Sequence, residues 1–128
     1  MVWPALLTNK IKQIVEATSS LWDILDNNTQ VYAVFIKKDD NKRIFLAEKE
    51  KNLKVVRIFL SEKDALRFCE LKSIGKNNLY VREMRYDTIY YSIIYIYANG
   101  TNIECRLTAL DINDNIYDVE KVWSPITN

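Results

Sequence analysis

The sequence predicts a single α+β domain over residues 1–128, built on a largely antiparallel, twisted sheet of about six to seven strands. Three observations favour this class: two stretches with helical periodicity, several short strand-like segments, and an Asn-Gly dipeptide between two β-rich runs. Short connections between neighbouring segments favour antiparallel pairing. We expect the element order α-βββ-α-ββββ, with the helices packed mainly on one face of the sheet.

The two predicted helices rest on apolar periodicity and on capping residues. The first covers residues 4–26, where Pro4 suits the first turn. Its apolar stripe steps by three and four residues and consists of Leu7, Ile11, Ile14, Thr18, Leu21 and Leu25. The second helix begins after Ser61, which has capping-box spacing to Asp64, and it ends at Gly75.

The predicted strands alternate with short polar connections. Residues 31–37 are apolar on both faces, which indicates a central strand. Further strands are predicted over residues 43–48, 53–60, 79–86 and 116–123. Asp111-x-Asn113-x-Asn115 resembles the opening of a calcium loop, but the glycine and the glutamate that should follow are missing. We therefore predict a polar turn between the last two strands.

Residues 87–110 predict a long β-hairpin. Asn99-Gly100 suits a type I′ turn, which needs a positive φ at both central residues. In that register Ile94 pairs with Cys105, and this face of the hairpin is apolar. The opposite face pairs Tyr91, Ile93, Tyr95 and Tyr97 with Thr108, Arg106, Glu104 and Asn102.

The amino-acid composition argues against several kinds of catalytic, nucleotide-binding and metal site. The chain has no histidine, which excludes Ser-His and Cys-His nucleophiles and imidazole metal sites. Its two glycines, Gly75 and Gly100, cannot form a P-loop or a dinucleotide fingerprint. Its two cysteines, Cys69 and Cys105, are unclustered, so a structural zinc site is not expected. We predict no catalytic residues, no metal site, no cofactor and no enzymatic activity.

Charge and segment patterns bear on location. The net charge is +1, so no global field attracts nucleic acid or anionic lipid. The start of the chain lacks signal-peptide features, and the longest apolar run, residues 89–98, is too short to span a bilayer. We expect a cytoplasmic protein without a membrane partner. A bias toward amino acids with AT-rich codons suggests an AT-rich genome, such as that of some bacteria, many of their phages or some protists. For a phage-encoded chain the expected location is the host-cell cytoplasm.

Because no catalytic, metal or cofactor site is expected, binding to a partner is the leading hypothesis. The sequence suggests a small non-catalytic module (an inhibitor, an immunity-type protein or an adaptor) that occupies a protein partner, because tyrosine and arginine dominate binding hot spots. The expected partner-binding residues are Tyr91, Ile93, Tyr95, Tyr97, Glu104 and Arg106. Cover of this tyrosine face by the first helix, or homodimerisation through it, are alternatives.

A second hypothesis is binding of single-stranded nucleic acid, in which bases stack on aromatic side chains of strands. The residues in question are Tyr80, Arg82, Tyr86 and Arg57. The near-neutral net charge and the lack of a dense basic patch make nucleic acid the weaker reading. A small-ligand binder or an enzyme would need a pocket with converging polar groups, for which the sequence has no signal.

Overall fold

The computed structural model describes residues 25–26, 28–38, 43–75 and 78–125. The strands are β1 (Gln30–Lys37), β2 (Arg43–Phe45), β3 (Ala47–Glu50), β4 (Leu53–Phe59), β5 (Leu79–Arg85), β6 (Ile103–Leu110) and β7 (Ile116–Trp123). The described helices are α1 (Glu62–Lys72) and α2 (Tyr86–Ala98). The α+β class and the mostly antiparallel seven-strand sheet are confirmed. The helix predicted over residues 4–26 lies, apart from its last two residues, outside the described part.

Strand β1 is central, as its two apolar faces predicted. Residues 30–36 pair with β5 on one edge, and the other edge pairs first with β4 and then with β2. Strand β4 pairs with β1 at Ile58 and Phe59, with β3 at its beginning, and with β6 in parallel. Strands β1 and β4 therefore pair only over two residues each, and beyond this contact β1 pairs with β2 and β4 pairs with β3. Strand β7 pairs with β6 at the far side of the sheet.

The two described helices lie on opposite faces of the sheet. Helix α1 packs on a small core, in which Ala65 and Phe68 meet Val34 and Phe59. Helix α2 packs on the larger core of the other face, which contains Val31, Ala33, Val56, Ile58, Cys105 and Leu107 among its strand residues. The prediction that helices pack mainly on one face is thus wrong for the described helices. The central strands are apolar on both sides, and each side needs its own cover.

Residues 86–98 form helix α2, so the predicted hairpin over residues 87–110 is wrong. Their β-branched and aromatic content favours a strand locally. Burial nevertheless follows a helical period, because the buried side chains are Tyr86, Ile89, Ile93, Ile94 and Ala98. Packing of this stripe on the sheet decides the structure, and local propensity is only a weak prior against it.

The Asn-Gly dipeptide ends this helix and does not form a hairpin turn. Asn99 has φ −87°, whereas a type I′ turn needs a positive angle, and only Gly100 is positive at +100°. The Gly100 amide donates to the Tyr97 carbonyl at 3.0 Å, and the Thr101 amide donates to the Ile96 carbonyl at 3.3 Å. This pair of hydrogen bonds is the Schellman motif, in which glycine takes the left-handed position after the helix.

Two other local predictions are confirmed. Ser61 is the N-cap of α1, and its side chain accepts a hydrogen bond from the Asp64 amide at 3.2 Å. The connection between β6 and β7 is a polar turn, in which one Asp111 carboxylate oxygen accepts hydrogen bonds from the Asn113 and Asn115 amides at 2.8 and 2.9 Å. These hydrogen bonds hold the pKa of Asp111 below its ordinary value, although partial desolvation opposes them.

Candidate functional site

Helix α2 presents two of the predicted tyrosines to solvent. Tyr91 is 50% exposed and Tyr95 is 37% exposed. They lie four residues apart, so they occupy neighbouring turns on the same side of the helix. The Tyr91 ring also meets the Tyr90 ring edge-on, with 5.1 Å between centroids, which orients it.

A cleft of about 330 Å³ lies beside these tyrosines, between α2 and strands β1, β2 and β5. Its polar lining residues are Arg82 and Ser92. Its apolar lining residues are Phe35, Ile44, Phe45, Met84, Tyr95 and Ile96. Such a lining, apolar with a few polar groups, is typical of binding clefts, and the volume is at the lower end of their range.

Strand register builds the aromatic floor of the cleft. Phe35 on β1 pairs with Phe45 on β2 and with Tyr80 on β5. The rings stack accordingly, with centroids 4.6 Å apart for Phe35 and Phe45 and 5.9 Å apart for Phe35 and Tyr80. Phe35 and Phe45 line the cleft, and Tyr80 stacks on Phe35 without lining it. Because paired strands supply these rings, the floor is fixed by the sheet and does not depend on a loop.

The rim of the cleft combines exposed apolar and polar side chains. Ile44 on β2 is 44% exposed. The Ser92 hydroxyl donates to the Thr88 carbonyl at 2.8 Å, so its proton is already used. Arg82 is exposed on β5, and among the described lining residues it alone carries a charge.

Two predicted binding residues on α2 belong to the core side of the helix. Ile93 is fully buried against the sheet. Tyr97 is half-buried, and its ring meets the Trp123 ring edge-on with 5.1 Å between centroids. The hairpin register had grouped both with Tyr91 and Tyr95, but a helix separates positions i and i+2 by about 200°.

Glu104 and Arg106 lie on the opposite face of the sheet from α2. Glu104 is only 2% exposed and pairs with Arg106 and with Lys121. Arg106 also contacts Glu50 at 3.1 Å and Asp118 at 3.2 Å. Burial raises the pKa of Glu104, but hydrogen bonds from Arg106 and Ser124 and the positive charges of Arg106 and Lys121 outweigh it, so the net pKa is below the ordinary value.

The residues of the nucleic-acid hypothesis do not form one surface. Tyr80 and Arg82 share a face of β5, next to the cleft. Tyr86 is 1% exposed within the larger core. The Arg57 side chain is 14% exposed and pairs with Glu48 at 2.9 Å and with Asp118, in the same ion network as Arg106.

Within the described ranges, no group of three or more His, Cys, Asp or Glu side chains could hold a metal ion. Neither described helix is long and apolar enough to cross a membrane.

Sequence reasoning missed Ile44, Phe45 and Met84 as lining residues of the cleft. The recurrence of apolar residues at three- and four-residue spacing over residues 86–98 was the signal that could have revealed α2 and, with it, this cleft.

Comparison with known proteins gives a family and no activity. No curated protein and no solved structure matches the chain. One family model matches residues 5–96, which is most of the chain and includes every lining residue of the cleft. The chain belongs to the family described as Domain of unknown function (DUF5100).

Proposed function

We propose that this protein is a small non-catalytic module that binds a protein partner through the cleft beside α2 and the adjoining tyrosines. The observation that carries the proposal is an apolar cleft with large side chains exposed around it. Ile44, Tyr91 and Tyr95 lie at or near the cleft and are each at least 37% exposed. A bound partner could cover this exposed apolar surface. Exposed apolar patches that surround a pocket are typical of protein interaction sites.

The arrangement also suits binding energetically. The side chains stand on a helix and on paired strands, so little conformational entropy is lost when a partner covers them. Tyrosine contributes a large rigid area with a polar tip, and it is enriched in hot spots for that reason. A module of this kind acts by occupying its partner, as an inhibitor, an immunity-type protein or an adaptor does.

The nucleic-acid hypothesis receives less support. Of its four residues only Tyr80 and Arg82 lie together, and an ion pair with Glu48 already engages Arg57. Fluorescence anisotropy with labelled single-stranded oligonucleotides at low and high salt tests it, since phosphate contacts weaken steeply with salt. Low-salt binding that Arg82→Gln abolishes would favour nucleic acid over a protein partner.

Affinity purification from the source organism tests the proposed function. The wild-type chain, a Tyr91→Ala, Tyr95→Ala variant and a Tyr117→Ala control serve as baits. Tyr117 lies on β7 and is 50% exposed, as Tyr91 is, so it controls for loss of an exposed tyrosine away from the cleft. A specific partner should be retained by the wild type and by the control, and lost by the double variant.

Titration calorimetry with the purified partner then gives the magnitude. Hot-spot residues contribute about 2 kcal/mol or more, so the double variant should weaken the affinity by roughly thirtyfold or more. An affinity within about twofold of wild type, in a variant that unfolds at the wild-type denaturant concentration, would refute the proposed site. A wild-type bait that retains nothing beyond the double variant would count against the function itself.

A further inference from the structure

We infer that the cleft recognises a partner segment that carries a large apolar side chain next to a carboxylate. The inference rests on the proposed function and adds the chemistry of the partner. The apolar floor and walls would take the first side chain, and the guanidinium of Arg82 would pair with the second.

Arg82 differs from the other arginines whose side chains the structure describes. Arg57, Arg67, Arg85 and Arg106 each form at least one ion pair with an acidic side chain. Within the described part of the chain, Arg82 has no ion pair. A guanidinium offers five N–H donors and no acceptor, and a carboxylate can accept two of them side by side.

The residues around Arg82 favour an acidic group of a partner as its counter-ion. It lies beside Met84 and Tyr95 in the cleft lining, and none of the described residues that line the cleft is acidic. Arg85, three residues along the chain, is paired with Asp87 at 2.8 Å. A partner carboxylate next to an apolar side chain could therefore pair with Arg82. Burial of the apolar side chain in the cleft would lower the local dielectric and strengthen that pair.

The shape of the surface favours a protein segment over a small amphiphilic acid. Ile44 and Tyr91 are 44% and 50% exposed, and a small acid of about the cleft volume would cover only part of Ile44 and would not cover Tyr91, which does not line the cleft. A protein segment covers these rim side chains as well as the cleft, and such surrounding contacts exclude water from a central hot spot.

Among the described strands, the outer edges of β5 and β7 are weaker candidates for this partner. Strand β5 carries Arg82, Glu83 and Arg85, and charges of this kind discourage strand addition. The β6–β7 ladder contains two register shifts, which twist an edge away from regular pairing. The cleft is therefore the surface on which shape and charge agree.

Selection from a displayed library of random twelve-residue peptides on the full-length chain tests the inference. Enriched peptides should combine a large apolar residue with Asp or Glu within a few positions. Their binding should fall on Tyr95→Ala and Ile44→Asp variants. Arg82→Gln should weaken them roughly ten- to hundredfold, as expected for loss of a hydrogen bond to a charged group.

A charge exchange makes the assignment specific. Arg82→Glu should reject the selected peptides and accept versions in which Asp or Glu is replaced by Lys. Lys63→Glu is the matched control, because it changes the net charge equally at an exposed position on α1. Circular dichroism and denaturant unfolding confirm that each variant folds.

Three results would overturn the inference. Peptides that need Tyr95 and Ile44 but show no carboxylate preference and ignore Arg82→Gln would overturn the partner chemistry and leave the proposed function standing. A selection without cleft-dependent peptides would overturn both. A dimer in light scattering that Ile44→Asp dissociates would identify a second copy of the chain as the occupant, and would overturn the acidic segment.

Discussion

Replacing Ile93 and Tyr91 one at a time by alanine distinguishes the helix from a hairpin by a large margin in stability. On a strand these two side chains would share a face and would be buried to a similar degree. On α2 they are about 200° apart, and the structure gives Ile93 no exposed surface while Tyr91 is 50% exposed. The two substitutions should therefore have very different effects on the free energy of unfolding.

The magnitude follows from burial. Ile93→Ala removes three buried carbons, worth about 2.4 kcal/mol at roughly 0.8 kcal/mol each, and the cavity brings the loss to about 2–5 kcal/mol. Tyr91→Ala loses mainly the edge-on contact with Tyr90, worth about 0.5–1.5 kcal/mol. Because alanine favours helix formation more than tyrosine does, part of this loss is recovered. The expected difference between the variants is at least about 1 kcal/mol.

Urea unfolding of the wild type and the two variants measures this difference, with a common slope m as the check that the midpoint shift reports stability. Equal losses in both variants would refute the assignment of residues 86–98 to a helix on the sheet. A larger loss for Tyr91→Ala would refute the orientation of α2.

Three further predictions concern a helix cap, a buried carboxylate and the smaller core. Gly100→Ala should cost about 1 kcal/mol in urea unfolding because φ is +100°, and Gly100→Asn should cost less, since asparagine tolerates positive φ. The pKa of Glu104 is lowered in the folded state, so its stabilisation is present above about pH 4.3 and is lost as the pH falls through the lowered value; Glu104→Gln should flatten the loss of stability in that range. Phe68→Ala should cost about 3–5 kcal/mol, whereas Leu66→Ala on the exposed side of α1 should cost roughly 1 kcal/mol or less; equal costs would contradict the orientation of α1.

The sequence predicted those parts of the fold for which a local signal and the tertiary structure agree. Ser61 caps α1, β1 is central, and Asp111 organises the last turn, each as expected. In each case the residues that form the feature are neighbours in the chain or follow one clear period. The α+β class and the antiparallel character of the sheet follow from such features.

Helix α2 is the case in which two levels of structure disagree. Its β-branched and aromatic residues favour strands, and Asn99-Gly100 serves equally as a hairpin turn or as the end of a helix. In the sequence, only the three- and four-residue spacing of apolar residues over residues 86–98 indicated a helix. Strand alternation and helical spacing both fit a short run so rich in apolar residues, and tertiary packing selects between them.

The candidate site was half predictable for the same reason. Tyr91 and Tyr95 lie on the exposed side in either conformation, so they remain in the site. Partners from distant segments could not be derived, because Phe45 and Met84 reach the cleft through the pairing of β2 and β5 with β1. Pairing between strands that are far apart in the chain has no local signature.

The distribution of charge explains why the α2 face is the better candidate for recognition. On the opposite face, Arg57 and Arg106 already contact acidic side chains of β3, β6 and β7. A partner there would have to replace ion pairs that are partly buried, and breaking such a pair leaves an uncompensated charge. Arg82 has no such pair to give up within the described chain. Its contact with a carboxylate would therefore break no existing ion pair, and burial of the partner's apolar side chain in the cleft beside it would strengthen that contact.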